Sequence, residues 1–174
     1  MNPTIDYLKT VPEVLAMIGV EHGIHHLEGD PYNHSMLVLD HIQKHFPEDY
    51  TLQLSALFHD IGKPSTRKEI EKDGKLKTIF YGHDRMGSRI AYEIFKREGV
   101  QKDIAITASN IIENHMRPHL IMKNLSKKAL KKFLLKCGDN LERILCLAEA
   151  DCYGKLPFEN HIPELRKYIQ ENNV

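Results

Sequence analysis

Ala56-Leu57-Phe58-His59-Asp60-Ile61-Gly62-Lys63-Pro64 ends a segment, Leu52 to Ile61, that is apolar almost all round. Thr51 can start a helix there and Gly62 with Pro64 would end it. A helix without a polar face is expected to be buried on several sides. The adjacent His59 and Asp60 are costly in that setting, because a carboxylate stripped of water must be paired or bound to a cation. The pair predicts a partner brought from elsewhere in the chain.

The flanking sequence reads as helices. Thr10 and Glu13 have capping-box spacing and predict a short helix through Ile18, ended by Gly19. Asn33 would cap a helix whose inward face is His34, Leu37, Val38, His41, Ile42 and His45, closed by Pro47. Residues 66–80 break the helical pattern: charged and apolar residues alternate about Asp73-Gly74, a hairpin turn signal. Helical spacing resumes with His83, Met86, Gly87, Ile90, Ala91, Ile94 and Phe95 and stops at Gly99. A further helix carries Ile104, Ala108, Ile111, Ile112 and His115 on one face and ends before Pro118. Ser126 to Cys137 and Leu141 to Cys152 flank Gly138, and a last short helix follows Pro163. The expected fold is all-α: a single helical bundle of about seven or eight helices over residues 1–174, with a small β-hairpin excursion.

Composition narrows the function classes. With 41% hydrophobic and 28% charged residues in 174, the chain can bury a core without staples. Its 24 Lys+Arg balance 24 Asp+Glu, which argues against holding nucleic acid by bulk electrostatics and leaves room for a local basic patch. Cys137, Cys146 and Cys152 form no CxxC pair and read as reduced, buried thiols. The N-terminus shows no secretory signal and no apolar run reaches membrane-span length, so a cytoplasmic protein with no membrane partner is expected; oligomeric state is open. The unusual count is 11 histidines, more than the 6 Phe or the 7 Tyr.

Placed on the helices, His34, His83, His115 and Asp151 each fall at the edge of an apolar stripe on a different helix. In a bundle these groups can converge on His59 and Asp60, and a nest of neutral imidazoles and carboxylates suits a divalent transition metal. His41 and His45 are expected to be hydrogen-bonded core residues, and His22, His25, His26 and His161 to be solvated. His119 is a candidate further ligand or general acid. Lys127, Lys128, Lys131, Lys132 and Lys136 form a basic helix face of the kind that is usually solvated.

The order His34, His59-Asp60 within its Ala56–Pro64 string, then Asp151 resembles the HD-domain superfamily of metal-dependent phosphohydrolases. The continuation Phe80-Tyr81-Gly82-His83-Asp84-Arg85-Met86-Gly87 is most similar to HD domains attached to bacterial tRNA nucleotidyltransferases. Their nucleotidyltransferase domain is not seen in this sequence, so polymerisation of CCA ends is not implied, and the Gly-Tyr-Pro signature of the cyclic-di-GMP-degrading branch is missing too. The resemblance implies one metal held by His34, His59, Asp60 and Asp151, with Asp60 bridging to a second completed by His83 and His115. The cofactor would be one or two divalent ions of Fe, Mn, Co, Ni or Zn. Two such cations about 3.5–4 Å apart hold a hydroxide for in-line attack on a phosphate ester. Asp60 and Lys63 would be catalytic, and Lys63, Arg67, Arg85 and Arg117 would contact substrate phosphate. The expected substrate is a nucleotide or other small phosphate ester, with an RNA end as the less favoured partner. Rival expectations are a mixed-valence di-iron oxygenase, since oxygenases of the family share this ligand order, and a metal-holding binding or signalling module without turnover.

Overall fold

A computed structural model describes residues 1–21, 29–155 and 158–172; His22, His25 and His26 lie outside them. Two single turns, α1 (Ile5–Leu8) and α2 (Pro12–Leu15), bury Leu8, Val11, Val14 and Met17. The expected capping box is not formed. Pro12 takes the first helical position with Val11 as N-cap, the Thr10 hydroxyl donates to the Tyr7 carbonyl, and Glu13 pairs with Arg97.

Helix α3 (Pro31–His45) opens at Asp30 rather than Asn33: the Asp30 carboxylate accepts the Asn33 N–H, and Pro31 occupies the first turn. Its buried face is His34, Ser35, Val38, Leu39 and Ile42. The expected inward positions Leu37 and His45 are turned toward solvent, with Leu37 48% exposed, and His41 is half-buried. Neither histidine is a core residue: the His41 ring stacks on those of His45 and Tyr153, and His45 Nδ1–H donates to the His41 carbonyl.

Asp49 caps α4 (Tyr50–Phe58) by accepting the Leu52 N–H. Helices α3, α7 and α10 pack around α4, and every residue from Leu52 to Lys63 is buried, as an all-apolar helix requires. The helix stops at Phe58, so His59 and Asp60 stand in the turn after it rather than inside it. The single turn α5 (Lys63–Thr66) leads into the expected hairpin, β1 (Lys68–Lys72) and β2 (Lys75–Ile79). Lys72 pairs with Lys75 across Asp73 and Gly74, whose φ values of 55° and 70° are the left-handed pair that a tight two-residue turn demands.

Helices α6 (His83–Arg97) and α7 (Lys102–Asn114) lie against each other, followed by α8 (Arg117–Ile121), α9 (Lys127–Cys137), α10 (Leu141–Tyr153) and α11 (Ile162–Glu171). The core runs through Leu54, Leu57, Phe58, Phe95, Ile111 and Leu147, with Phe58 and Phe95 edge to face at 4.9 Å. The α9 lysines are exposed and all three cysteines are buried free thiols, both as expected. The fold is all-α with one two-stranded sheet. No helix among the described residues is long and apolar enough to cross a membrane.

Candidate metal centre

Five helix ends meet at the doublet. His34 lies in the first turn of α3, His59 and Asp60 follow α4, His83 opens α6, His115 caps α7, and Asp151 faces inward from α10. The doublet and α6 are held together by backbone contact at Gly62. A Cβ there would lie 2.2 Å from the His83 carbonyl oxygen and 2.6 Å from the Gly87 nitrogen, so no side chain fits between them.

The imidazoles share one orientation. Nδ1–H donates to a backbone carbonyl in each: His34 to Gly154 at 3.2 Å, His59 to Ala56 at 2.8 Å, His83 to Phe80 at 2.9 Å and His115 to Ile112 at 2.6 Å. A carbonyl only accepts, so the ring proton sits on Nδ1 and the Nε2 lone pair is left facing the centre. That is the second-shell arrangement by which histidines are oriented as metal ligands.

The Nε2 atoms crowd the two carboxylates. His34 Nε2 is 2.8 Å from Asp151 Oδ1 and 3.9 Å from Asp60 Oδ2, and His59 Nε2 is 3.4 Å from Asp60 Oδ2. On the other side of Asp60, His83 Nε2 is 3.5 Å from Oδ1 and 3.3 Å from His115 Nε2. His59 Nε2 is buried without a hydrogen-bond partner. Lone pairs aimed at one another and at carboxylate oxygens repel unless a proton or cation lies between them. One atom each from His34, His59 and Asp60 lies within 4.8 Å of the others, and the same holds for Asp60, His83 and His115. Asp60 belongs to both sets, and the donors are imidazole nitrogen and carboxylate oxygen, so the residues fit divalent transition metals.

Electrostatics agree. Burial pushes His59 down to about 4 and holds His115 well below the usual imidazole range, aided by His83, so both rings are neutral at pH 7. Burial would raise Asp60, but Lys63, His59, His83 and His34 outweigh it and hold the carboxyl well below its usual range. Asp151 behaves alike: Lys155, His119 and His34 outweigh burial. Lys63 Nζ donates to Asp60 Oδ2 at 2.6 Å and lies 5.5 Å from the Phe80 ring centre. Lys155 Nζ donates to Asp151 Oδ2 at 2.6 Å. His83, partly exposed, marks the solvent side of the centre.

The structure brings together His34, His59, Asp60, Lys63, His83, His115 and Asp151. The three arginines expected at phosphate have these surroundings. Arg67 is held by Glu21 at 2.6 Å and Glu69 at 2.7 Å, Arg85 is exposed, and Arg117 donates to Asn114. Lys155 was not anticipated; its signal is the i, i+4 spacing from Asp151. His119 is beside the centre, with Nε2 2.9 Å from Asp151 Oδ2. His161, expected in solvent, is half-buried and 3.0 Å from His119 Nδ1.

Residues 32–155 match the HD domain family. The chain is 30% identical over 145 residues to the CC-adding tRNA nucleotidyltransferase of Thermus thermophilus, covering 81% of this chain and 31% of that protein. It is 30% identical over 143 residues to the multifunctional CCA protein of Actinobacillus pleuropneumoniae, covering 78% and 33% respectively. A 109-residue match at 30% to the A-adding tRNA nucleotidyltransferase of Deinococcus radiodurans covers 62% of this chain and 24% of that protein. The chain thus spans about a third or less of the length of these relatives.

Proposed function

The chain belongs to the HD domain family, and from that premise we propose that it is a metal-dependent phosphohydrolase whose substrate is a nucleotide or another small phosphate ester. The observation that carries this reading is the pair of three-residue ligand sets sharing Asp60, with each imidazole Nε2 turned inward. His34, His59, Asp60 and Asp151 would hold one divalent cation, and Asp60, His83 and His115 the second. When bound, such a pair would supply a water of lowered pKa and positive charge against phosphoryl oxygens.

The protein's own part is placement and charge. Asp60 and Asp151 against Lys63 and Lys155 sum to zero with the imidazoles neutral, so a centre loaded with dications is strongly positive and selects an anion. Lys63 and Lys155 each donate a hydrogen bond to a carboxylate at 2.6 Å. Their positive charge would draw a phosphate to the solvent side marked by His83. The Nδ1–carbonyl bonds keep the rings from rotating, so the centre is preorganised before substrate arrives.

The relatives named as tRNA nucleotidyltransferases favour a second reading, in which the ester belongs to an RNA 3′ end. Protein loaded in turn with Mn, Co, Ni or Zn is assayed against phosphomonoesters, phosphodiesters, dinucleotides and an RNA oligonucleotide ending in CCA. Metal-dependent phosphate-ester cleavage that persists without oxygen supports the proposal, and cleavage of the RNA alone selects the second reading. Oxygen uptake without phosphate release, or no turnover on any substrate, overturns both.

A further inference from the structure

Behind Asp151 a third group of ligand-capable atoms is gathered that the His-Asp doublet does not explain. His119 from α8, Cys152 from α10 and His161 at the N-terminus of α11 each offer an atom within 4.8 Å of the other two. The imidazoles of His119 and His161 meet edge to face, with ring centres 5.0 Å apart, and His119 Nδ1 is 3.0 Å from His161 Nε2. Cys152 is a buried free thiol next in sequence to Asp151. His119 Nε2 is buried and lies 2.9 Å from Asp151 Oδ2, yet it completes no hydrogen bond there or elsewhere among the described residues.

We propose that His119, Cys152 and His161 bind a zinc ion of their own, separate from the cations at Asp60. Two imidazole nitrogens and a thiolate are three ligands of a tetrahedral zinc site, and partial exposure of both histidines leaves a fourth position open to water. On binding, the Cys152 thiol proton leaves to solvent, and the proton between His119 Nδ1 and His161 Nε2 is displaced so that both lone pairs face the ion. His119 then carries its proton on Nε2, against Asp151 Oδ2, and a carboxylate behind a ligating imidazole fixes its tautomer and orientation. The sulfur donor sets the site apart from the nest, whose donors are nitrogen and oxygen alone; sulfur draws the softer metals. The ion would tie α8, α10 and α11 together around Asp151. That would add a brace on the Asp151 side of the nest to the contacts that His34 and Lys155 already make with Asp151.

Cobalt(II) is the probe, because only a thiolate ligand gives a near-ultraviolet sulfur-to-cobalt charge-transfer band. The wild-type chain is expected to show the band and, when loaded with zinc instead, to hold one zinc per chain more than the Cys152→Ser variant. Cys152→Ser abolishes the band, and His161→Gln weakens cobalt binding at it at least tenfold. Asp60→Asn, which removes the shared ligand of the proposed nest, keeps the band, so failure of the nest and failure of this site are told apart. No band in the wild type, or a band that survives in Cys152→Ser, overturns the proposal. If Cys152→Ser does not fold by circular dichroism, His161→Gln decides: an unchanged band and full zinc content overturn it.

Discussion

Replacing Gly62 by Ala probes how the doublet and α6 are held in register. With φ −80° and ψ −12°, Gly62 already has a conformation any residue adopts, so the substitution adds no dihedral strain. What it adds is a methyl group 2.2 Å from the His83 carbonyl oxygen, 2.6 Å from the Gly87 nitrogen and 3.0 Å from Gly87 Cα. All three are backbone atoms, with no flexible side chain to swing aside. Relaxed carbon contacts begin near ~3.5 Å, so the first turn of α6 must retreat by roughly 1 Å. Overpacking of this kind costs about 1–3 kcal/mol, and contact with rigid backbone puts Gly62→Ala at the upper end. His83 would move with α6, and a ligand displaced by ~1 Å lies outside the tolerance of a preorganised site. Affinity at the Asp60, His83 and His115 set should fall by about 10–100-fold, while the His34, His59 and Asp151 side is kept. Urea unfolding of the metal-free protein and calorimetric titration with Mn or Zn read the two effects separately. A variant within about 0.5 kcal/mol of wild type that still binds two equivalent cations would refute the backbone-contact argument.

Gly154→Ala would place its methyl 2.8 Å from Val38 Cγ2 and 3.0 Å from His34 Cε1. It should cost about 1–2 kcal/mol in urea unfolding and weaken the His34 side of the nest; unchanged titrations would contradict this. Lys63→Ala and Lys155→Ala should each retain metal by elemental analysis and lower turnover of a phosphate substrate, on the order of 10²-fold, and unaltered kinetics would remove that lysine from the site. Metal-free protein should lose stability in acid. His59 is neutral in the folded state down to about pH 4 but takes a proton near 6.5 when unfolded. Its contribution is full above 6.5 and lost between 6.5 and 4, about 3 kcal/mol. His115 acts in the same direction, and Asp60 and Asp151, held low, lose theirs only at still lower pH, below their usual value of 3.8. A urea midpoint unchanged between pH 7.5 and 4.5 would contradict the burial of neutral imidazoles.

The sequence declares the doublet because an acid and an imidazole at the end of an all-apolar segment have no bland explanation, and the hairpin because Asp73-Gly74 is a local signal. Failures came where a local pattern had two solutions. On α3, stripes through Leu37 and through Leu39 both include His34 and Val38. The second is the one buried: Ser35 and Leu39 face the core beside them, and Leu37 is left exposed. Asp30 outcompeted Asn33 as a cap because Pro31 starts the helix sooner. Lys155 carries a local signal, the i, i+4 spacing from Asp151, whereas His161 owes its place to how α8 and α11 meet, and no short-range pattern reports that. Arg67 looked close to the doublet along the chain, but the hairpin carries it to Glu21 and Glu69.

The central claim is that Asp60 is shared by two cation sites. Anomalous scattering from a crystal soaked in Mn or Zn tests it directly. Two peaks flanking the Asp60 carboxylate are expected, about 3.5–4 Å apart, one against His34 and His59 and the other against His83 and His115. A single peak that leaves His83 and His115 without metal, or no peak within bonding distance of Asp60, would contradict it.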